Sequence, residues 1–303
     1  MKNIKVAVAG LGFIGPVHIE ALRRIPNIEV VAVFHPDADE VKQKAEALNV
    51  PNHFSDYEEM LKLEGIDCVH ICTPNFLHYE MSKSAIEKGL NVVCEKPLSI
   101  TTAEAAELVQ LAADKGVVNA IHFNLRYYPM VRQMKVMREK GELGEIYSII
   151  GSYLQDWLFY QTDYNWRLET AQSGDSRAIA DVGSHLMDAL EYISGIKIVE
   201  LMADFNTVHK TRKKPLKPVE TYAGKLLKPE DYKDIPISTE DYASVLLHFD
   251  NGHKGVITVS QVAAGRKNRM TLEISGSKGN FHWCSESPNE MWIGRRDGNH
   301  EIK

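Results

Sequence analysis

The chain is predicted to be an α/β protein, with a doubly wound parallel sheet over residues 1–123 followed by an α+β unit over 124–303 whose open sheet is mostly antiparallel. Three observations carry this. Up to about Phe123, short β-branched runs alternate with amphipathic helical segments, the rhythm of a parallel sheet built from strand-helix-strand units. After about Pro129 the rhythm changes to a helix, a loop, a second helix and then several alternating strands in succession. A length of 303 residues with 44% apolar content also exceeds one small domain and leaves ample core for two.

In the first unit, IKVAVAG, EVVAVFH, CVHICT, NVVCEK and VVNAIHF read as buried strands. Between them, VHIEALRRI, ADEVKQKAEAL, YEEMLK, YEMSKSAIEKG and TAEAAELVQLAADKG place apolar residues at helical spacing. In the second unit, MVRQMKVMREKG reads as a helix, EIYSIIGSYLQ as a strand and GSHLMDALEYISG as another helix. IVELMADFNTV, YASVLLHF, GVITVSQVA, MTLEISG and NFHWC follow as strands, with turn signals at Asp250-Asn251-Gly252 and Gly276-Ser277-Lys278-Gly279. The Pro- and Lys-rich segment from Lys210 to Thr239 interrupts them and is expected to be a long loop. The basic stretch His209 to Lys214 is read as solvated.

A formal charge of -6 gives no general attraction for nucleic acid or an anionic membrane. The start lacks the long apolar region and small-residue cleavage site of a secretory signal, and no stretch approaches the roughly 20 apolar residues needed to span a bilayer. The expected location is therefore the cytoplasm. Four cysteines do not make a disulfide framework in a chain this long; Cys68, Cys72 and Cys94 lie in strand-like runs where a thiol packs as a small hydrophobe. No ligand cluster has a zinc-like spacing, so no metal is expected.

Gly10, Gly12 and Gly15 form G-x-G-x-x-G directly after the first strand, with Phe13 and Ile14 inside the motif and Pro16 placed to open the next helix. The first two glycines permit a tight turn and close backbone approach. The third lets helix and strand pack closely, and the helix N-terminus faces the charge of a pyrophosphate. A Rossmann-type NAD or NADP site is the reading. The second strand ends at His35, where a carboxylate would normally hold the adenosine ribose, and Asp37 lies two positions further on. No Arg follows to grip a 2′-phosphate, which leans the choice to NAD.

NVVCEKP puts Glu95 and Lys96 at the carboxyl edge of the sheet, where such folds bind ligands. A lysine there can donate to a reacting hydroxyl and stabilise alkoxide charge. In AIADVGSHLMDALEYISG, helical spacing places Asp181, His185, Asp188 and Tyr192 on one face, so Asp181 can touch His185 and support it as a general base. An ordinary amphipathic helix with a polar face explains the same segment equally well.

From Lys5 to about Gly279 the chain resembles the Gfo/Idh/MocA oxidoreductases. AVAGLGFIG resembles their glycine loop, CTPNFLH their loop after a mid-domain strand, CEKP their lysine motif and DVGSHLMD their Asp-Val/Ile-Gly-x-His-x-x-Asp motif. The resemblance implies hydride transfer between a nicotinamide and a carbinol carbon of a sugar, cyclitol or glycoside. It makes Lys96 the hydroxyl-binding lysine, His185 the acid/base and Asp181 its partner or a substrate contact. Thr73, Pro74, Asn75, His78 and Glu95 match positions lining the cofactor, and Arg126 a position near the domain junction where substrate and nicotinamide meet. Trp166 and Arg167 are candidates for the substrate pocket, and packing under the sheet accounts for them equally well. A homodimer or homotetramer is expected, paired through the open sheet face. The chain stops at Lys303, where many members continue. Two other activities stand beside the dehydrogenase: a glycoside-cleaving enzyme that retains and recycles NAD, and a non-catalytic NAD(P)-binding sensor.

Overall fold

A computed structural model describes residues 3–217 and 228–303. The chain divides into two compact units, Met1–His122 with Ala171–Gly174, and Phe123–Thr170 with Asp175–Lys303. The break falls one residue before the expected one, and the short segment 171–174 belongs with the first unit.

The first unit runs β1 (Ile4–Ala9), α1 (Ile14–Arg23), β2 (Ile28–Phe34), α2 (Ala38–Ala47), β3 (Asn52–Phe54), α3 (Tyr57–Met60), β4 (Cys68–Ile71), α4 (His78–Glu87), β5 (Asn91–Cys94), α5 (Thr102–Lys115) and β6 (Asn119–Ile121). Its six strands are parallel in the order β3-β2-β1-β4-β5-β6. Along β1, Val6 and Val8 belong to one core and Ala7 and Ala9 to another. Helices therefore cover both sheet faces, which is why the strands read as unbroken apolar runs. The winding reverses between β1 and β4, so the ligand crevice of this fold class opens at their carboxyl ends. All five expected strands and helices form. The three-residue β3 was not anticipated, because Asn52 and His53 give it no apolar run.

The chain continues with α6 (Pro129–Glu139), β7 (Ile146–Leu154), α7 (Thr170–Ser173), α8 (Ser184–Ser194), β8 (Ile198–Asn206), β9 (Thr211–Pro215), β10 (Tyr232–Pro236), β11 (Tyr242–Phe249), β12 (Lys254–Ser260), β13 (Arg269–Gly276), β14 (Gly279–Cys284), β15 (Met291–Gly294) and β16 (Glu301–Ile302). Eight of these strands form one sheet, β16-β15-β14-β13-β7-β12-β11-β8, in which β7 and β12 are parallel and every other pair antiparallel. α6 and α8 cover one face: Val131, Met134, Leu186, Leu190 and Ile193 share a core with Leu247, Ile257, Leu272, Ile274 and Trp283. Strand register sets Met202, Leu246, Val256, Ile150, Glu273, His282 and Trp292 in a row across the other face. Met202, Leu246, Ile150 and Trp292 of that row are exposed.

Two expectations are corrected here. The segment 210–239 is not all loop: β9 and β10 pair antiparallel as a two-stranded ribbon, while residues 218–227 lie outside the described residues. Nor is the basic stretch simply solvated, since Arg212 is fully buried and pairs with Asp241 at 2.7 Å. Composition made that stretch look exposed, because its carboxylate partner stands far along the chain.

Candidate active site

Of the helices described, α2, α3 and α5 each begin with a side-chain cap, from Asp37, Asp56 and Thr101. α1 does not. Like α4, α6 and α8 it has no side-chain cap, and no acid stands in its first turn to oppose an anion. Pro16 is the third helical residue rather than the first, still within the turn whose N–H groups lack helical partners. Gly10 holds φ +95, and a Cβ there would come within 2.6 Å of the Cys72 carbonyl; on Gly15 it would come within 2.0 Å of the Gly10 carbonyl oxygen. Gly12 has open space where its Cβ would be, Phe13 projects exposed, and Ile14 starts the helix. Lys44 of α2 donates to the Leu11 carbonyl at 2.7 Å and steadies the loop. A dinucleotide pyrophosphate fits this cradle.

At the end of β2, Asp37 spends its carboxylate on capping α2, accepting from the amides of Asp39 and Glu40 at 3.0 and 2.8 Å. His35 Nδ1 accepts from the Asp37 amide at 3.3 Å, and its Nε2 lies 3.7 Å from Glu40. After β4, Pro74 precedes a single 3₁₀ turn (Asn75–Leu77), and Asn75 donates to the Ser173 carbonyl at 3.3 Å. His78 is buried with its ring nitrogens 2.9 Å from the Thr73 carbonyl and 2.6 Å from that of Pro97. It ties the loop after β4 to the loop after β5. Burial lowers its pKa, although both carbonyls favour the protonated ring.

Glu95 follows β5 and is 8% exposed. One oxygen, Oε1, faces His18 Nε2 at 3.0 Å and His122 Nδ1 at 2.7 Å, while Oε2 accepts from the Lys96 amide at 3.3 Å. On its far side His18 Nδ1 meets His70 Nδ1 at 2.8 Å, so one of those two nitrogens carries the proton between them. Burial opposes the Glu95 charge, but the bonds from His122 and His18 outweigh it and hold the carboxyl well below the usual carboxylate range. Burial and the neighbouring imidazoles push His70 down to about 3. Donor atoms of His18, Glu95 and His122 lie within 4.8 Å of one another, a set able to hold a metal ion; the 2.7 and 3.0 Å separations are those of imidazoles donating to a carboxylate. Lys96 follows at the carboxyl edge of the sheet.

In the second unit, Ile179–Gly183 is a single π-helical turn leading into α8. Asp181 stands in this π turn and His185 in the first turn of α8. The partners shown for the Asp181 carboxylate are Arg167 Nε, 3.3 Å from Oδ1, and Gln261 Nε2, which donates to Oδ2 at 2.9 Å. His185 is buried, with the Phe123 ring edge-on at 5.5 Å. Trp166 opens a 3₁₀ turn, and the Arg167 guanidinium stacks over its indole at 4.5 Å. Arg126 makes a bidentate ion pair with Asp188, its Nε 3.0 Å from Oδ2, and lies over Tyr192 at 4.9 Å. Its donors are thereby committed to two residues of the α8 polar face.

Comparison with known proteins decides the family. Residues 4–123 match the family described as "Oxidoreductase family, NAD-binding Rossmann fold", and residues 131–282 match the GFO/IDH/MocA C-terminal domain. The chain belongs to the Gfo/Idh/MocA oxidoreductases. It is 30% identical over 306 residues to a levoglucosan dehydrogenase of Pseudarthrobacter phenanthrenivorans, covering 97% of this chain and 76% of that protein. The solved complex of a levoglucosan dehydrogenase with NADH and levoglucosan superposes with a TM-score of 0.88 at 26% identity, covering 100% of this chain and 80% of that one. An inositol dehydrogenase homologue from Azotobacter vinelandii, solved with NADH and myo-inositol, gives 0.84 at 25% identity, covering 100% and 76%.

In this Gfo/Idh/MocA chain, sequence reasoning missed the residues that hold the candidate groups. His18, His70 and His122 come to Glu95 from α1, β4 and the end of β6, and no local spacing links them. Gln261, Arg177, Asp241 and Arg212 are all fully buried or nearly so, and only the folded sheet brings them together. The one available signal was an unexplained polar residue, Gln261, at the end of an apolar strand. The cysteines are free, with Cys72 and Cys94 buried, and burial raises the Cys68 thiol to about 11 and Cys94 to about 12. Among the described residues, no helix is long and apolar enough to cross a membrane.

Proposed function

We propose that this protein transfers a hydride between NAD and a carbinol carbon of a sugar, cyclitol or glycoside. The observation that carries the reading is an intact glycine cradle before α1, whose first turn holds no acid, in a sheet whose carboxyl edge presents Lys96. The nicotinamide, when bound, takes the hydride. Gly10, Gly12, Phe13, Ile14 and Gly15 would hold the pyrophosphate, His35 would face the ribose, and Thr73, Pro74, Asn75 and Glu95 would line the remainder. His78 serves this site by tying its loops, and Arg126 by ordering the α8 face. Lys96 donates to the substrate oxygen and stabilises the alkoxide; His185 takes the hydroxyl proton; Asp181, with Trp166 and Arg167 beside it, supports the charged imidazole and contacts substrate.

NAD is preferred to NADP because no arginine follows β2 to grip a 2′-phosphate; Asp37, committed to its cap, does not supply the usual ribose carboxylate. The named relatives include a levoglucosan dehydrogenase and an inositol dehydrogenase homologue solved with myo-inositol, which supports that substrate class. We place the protein in the cytoplasm, where its free thiols stay reduced, as a homodimer or homotetramer joined through the bare sheet face.

The test is absorbance at the reduced-nicotinamide band with levoglucosan, inositols, aldoses and glycosides, offered with NAD and then NADP. Growth of the band with NAD is expected. Lys96→Ala should lower turnover at least a thousandfold while cofactor affinity, read by fluorescence titration, changes little. No growth across the panel with NAD demonstrably bound would instead favour the recycling hydrolase or the sensor.

A further inference from the structure

A chain of buried polar groups ends at Asp181. Asp241, wholly buried, receives Arg177 at 2.5 Å and Arg212 at 2.7 Å on Oδ1, and the amides of Val208 and His209 at 2.8 and 3.1 Å on Oδ2. Arg177, 1% exposed, extends Nη1 to Gln261 Oε1 at 3.0 Å. Gln261 is 0% exposed, and its backbone N–H donates to the Asp241 carbonyl at 2.9 Å. Its Nε2 then reaches Asp181 Oδ2 at 2.9 Å.

The direction of this chain is forced by chemistry. A guanidinium only donates, so the Gln261 oxygen must face Arg177 and its NH₂ must face Asp181. The flipped amide would set oxygen against carboxylate and NH₂ against guanidinium, breaking both bonds inside a dry core. Nearby, Glu240 accepts from the amides of Arg177 and Ile179 at 2.9 Å each, anchoring the start of the π turn that carries Asp181. Gln261 therefore meets Asp181 from β12's end and Glu240 holds the turn beneath it.

We propose that Gln261 is a positioning residue for Asp181: its amide, locked by Arg177, fixes where that carboxylate points and favours its ionised form. The proposal rests on the reading of Asp181 as part of the acid/base machinery. The charged or titratable groups near Asp181 in this unit are Arg167 on Oδ1, Arg177 and Glu240 at the foot of the turn, and His185 beyond it.

Two measurements decide it. The first needs no activity: unfolding temperatures of the wild type, Gln261→Glu, Asp181→Asn and the double variant, at pH 5 and pH 8. In Gln261→Glu two carboxylates face each other, and whichever takes the shared proton, the folded state then binds more protons than the unfolded one at high pH. The variant should lose stability from pH 5 to pH 8 relative to wild type, and Asp181→Asn should abolish that extra loss. An equal loss in both backgrounds overturns the contact, whatever the turnover.

The second is the pH profile of kcat/KM for Gln261→Met, which keeps the side chain's length but removes the donor. Its acid limb should move up by about one pH unit, a roughly tenfold loss on that limb, with NADH affinity unchanged. A uniform loss at every pH with an unmoved limb would make Gln261 structural only and overturn the positioning role. A wild type that turns over no carbinol while the stability coupling persists would sink the dehydrogenase reading, and the role with it, but leave the bond established.

Discussion

Glu95 is a buried carboxylate of the first unit, one of whose oxygens is shared by two imidazoles while a third imidazole stands behind His18. His70 titrates at about 3 against an ordinary 6.5, so the unfolded chain takes up this proton first as pH falls. Through that window the unfolded state holds about one more proton, and stability should be lost with falling pH at about 1.4 kcal/mol per pH unit. Glu95, whose folded pKa is also depressed, adds a loss of the same sign below the ordinary carboxylate value. His70→Asn keeps a hydrogen-bonding group beside His18 without the titration. Urea midpoints compared between about pH 6 and pH 5 should show a shallower slope in the variant by about one proton; an identical slope would place the acid sensitivity elsewhere. At the glycine loop, Gly15→Ala puts a carbon 2.0 Å from the Gly10 carbonyl oxygen. That separation forces the turn apart, and NADH binding should weaken at least a hundredfold by fluorescence titration while the protein remains folded.

Among the elements, α5 shows what a sequence displays openly. Thr101 Oγ1 accepts from the Glu104 amide at 3.2 Å, the Glu104 carboxylate accepts from the Thr101 amide at 3.1 Å, and Gly116 closes the helix at φ 65. Thr101→Ala removes one half of this reciprocal cap and should cost about 1 kcal/mol, read as a lower denaturation midpoint. Such signals are local, and they explain why nearly every strand and helix of the first unit was legible. The π turn was not, since Ile179–Gly183 reads as an ordinary helical start, and the groups that meet it, Glu240 and Gln261, stand some sixty and eighty residues away. The β9–β10 ribbon was hidden for a related reason. Its strands, TRKKP and YKDIP, are short and neither carries an apolar alternation. The candidate groups Lys96, Asp181 and His185 were legible from motif order, whereas the side chains holding them were not.

On the scale of the whole molecule, the two largest commitments of the second unit are a buried ionic centre and a bare sheet face. Asp241 pairs with both Arg177 and Arg212 at 0% exposure, so Asp241→Asn would leave two guanidiniums facing each other without their shared anion. Removing one member of a buried set of this kind costs about 3–5 kcal/mol, and thermal unfolding should register a fall of that size. The bare face makes the opposite demand. Met202, Leu246 and Ile150 sit in one cross-strand row with Val256 between the last two, while the exposed Leu201 and Phe205 of β8 pair with core-facing Leu247 and Ala243 and so lie on the opposite face. Contiguous apolar surface of this kind is normally covered by a partner, and a two-fold pairing of identical faces covers it without leaving a second patch open. Leu246→Glu sets a charge in the middle of that row, opposite Met202 and Val256. Sedimentation equilibrium should find the wild type as a dimer or a multiple of it and the variant as a monomer with unchanged circular dichroism. A wild type that is monomeric at every concentration would remove the interface, and the exposed row would then need a different partner.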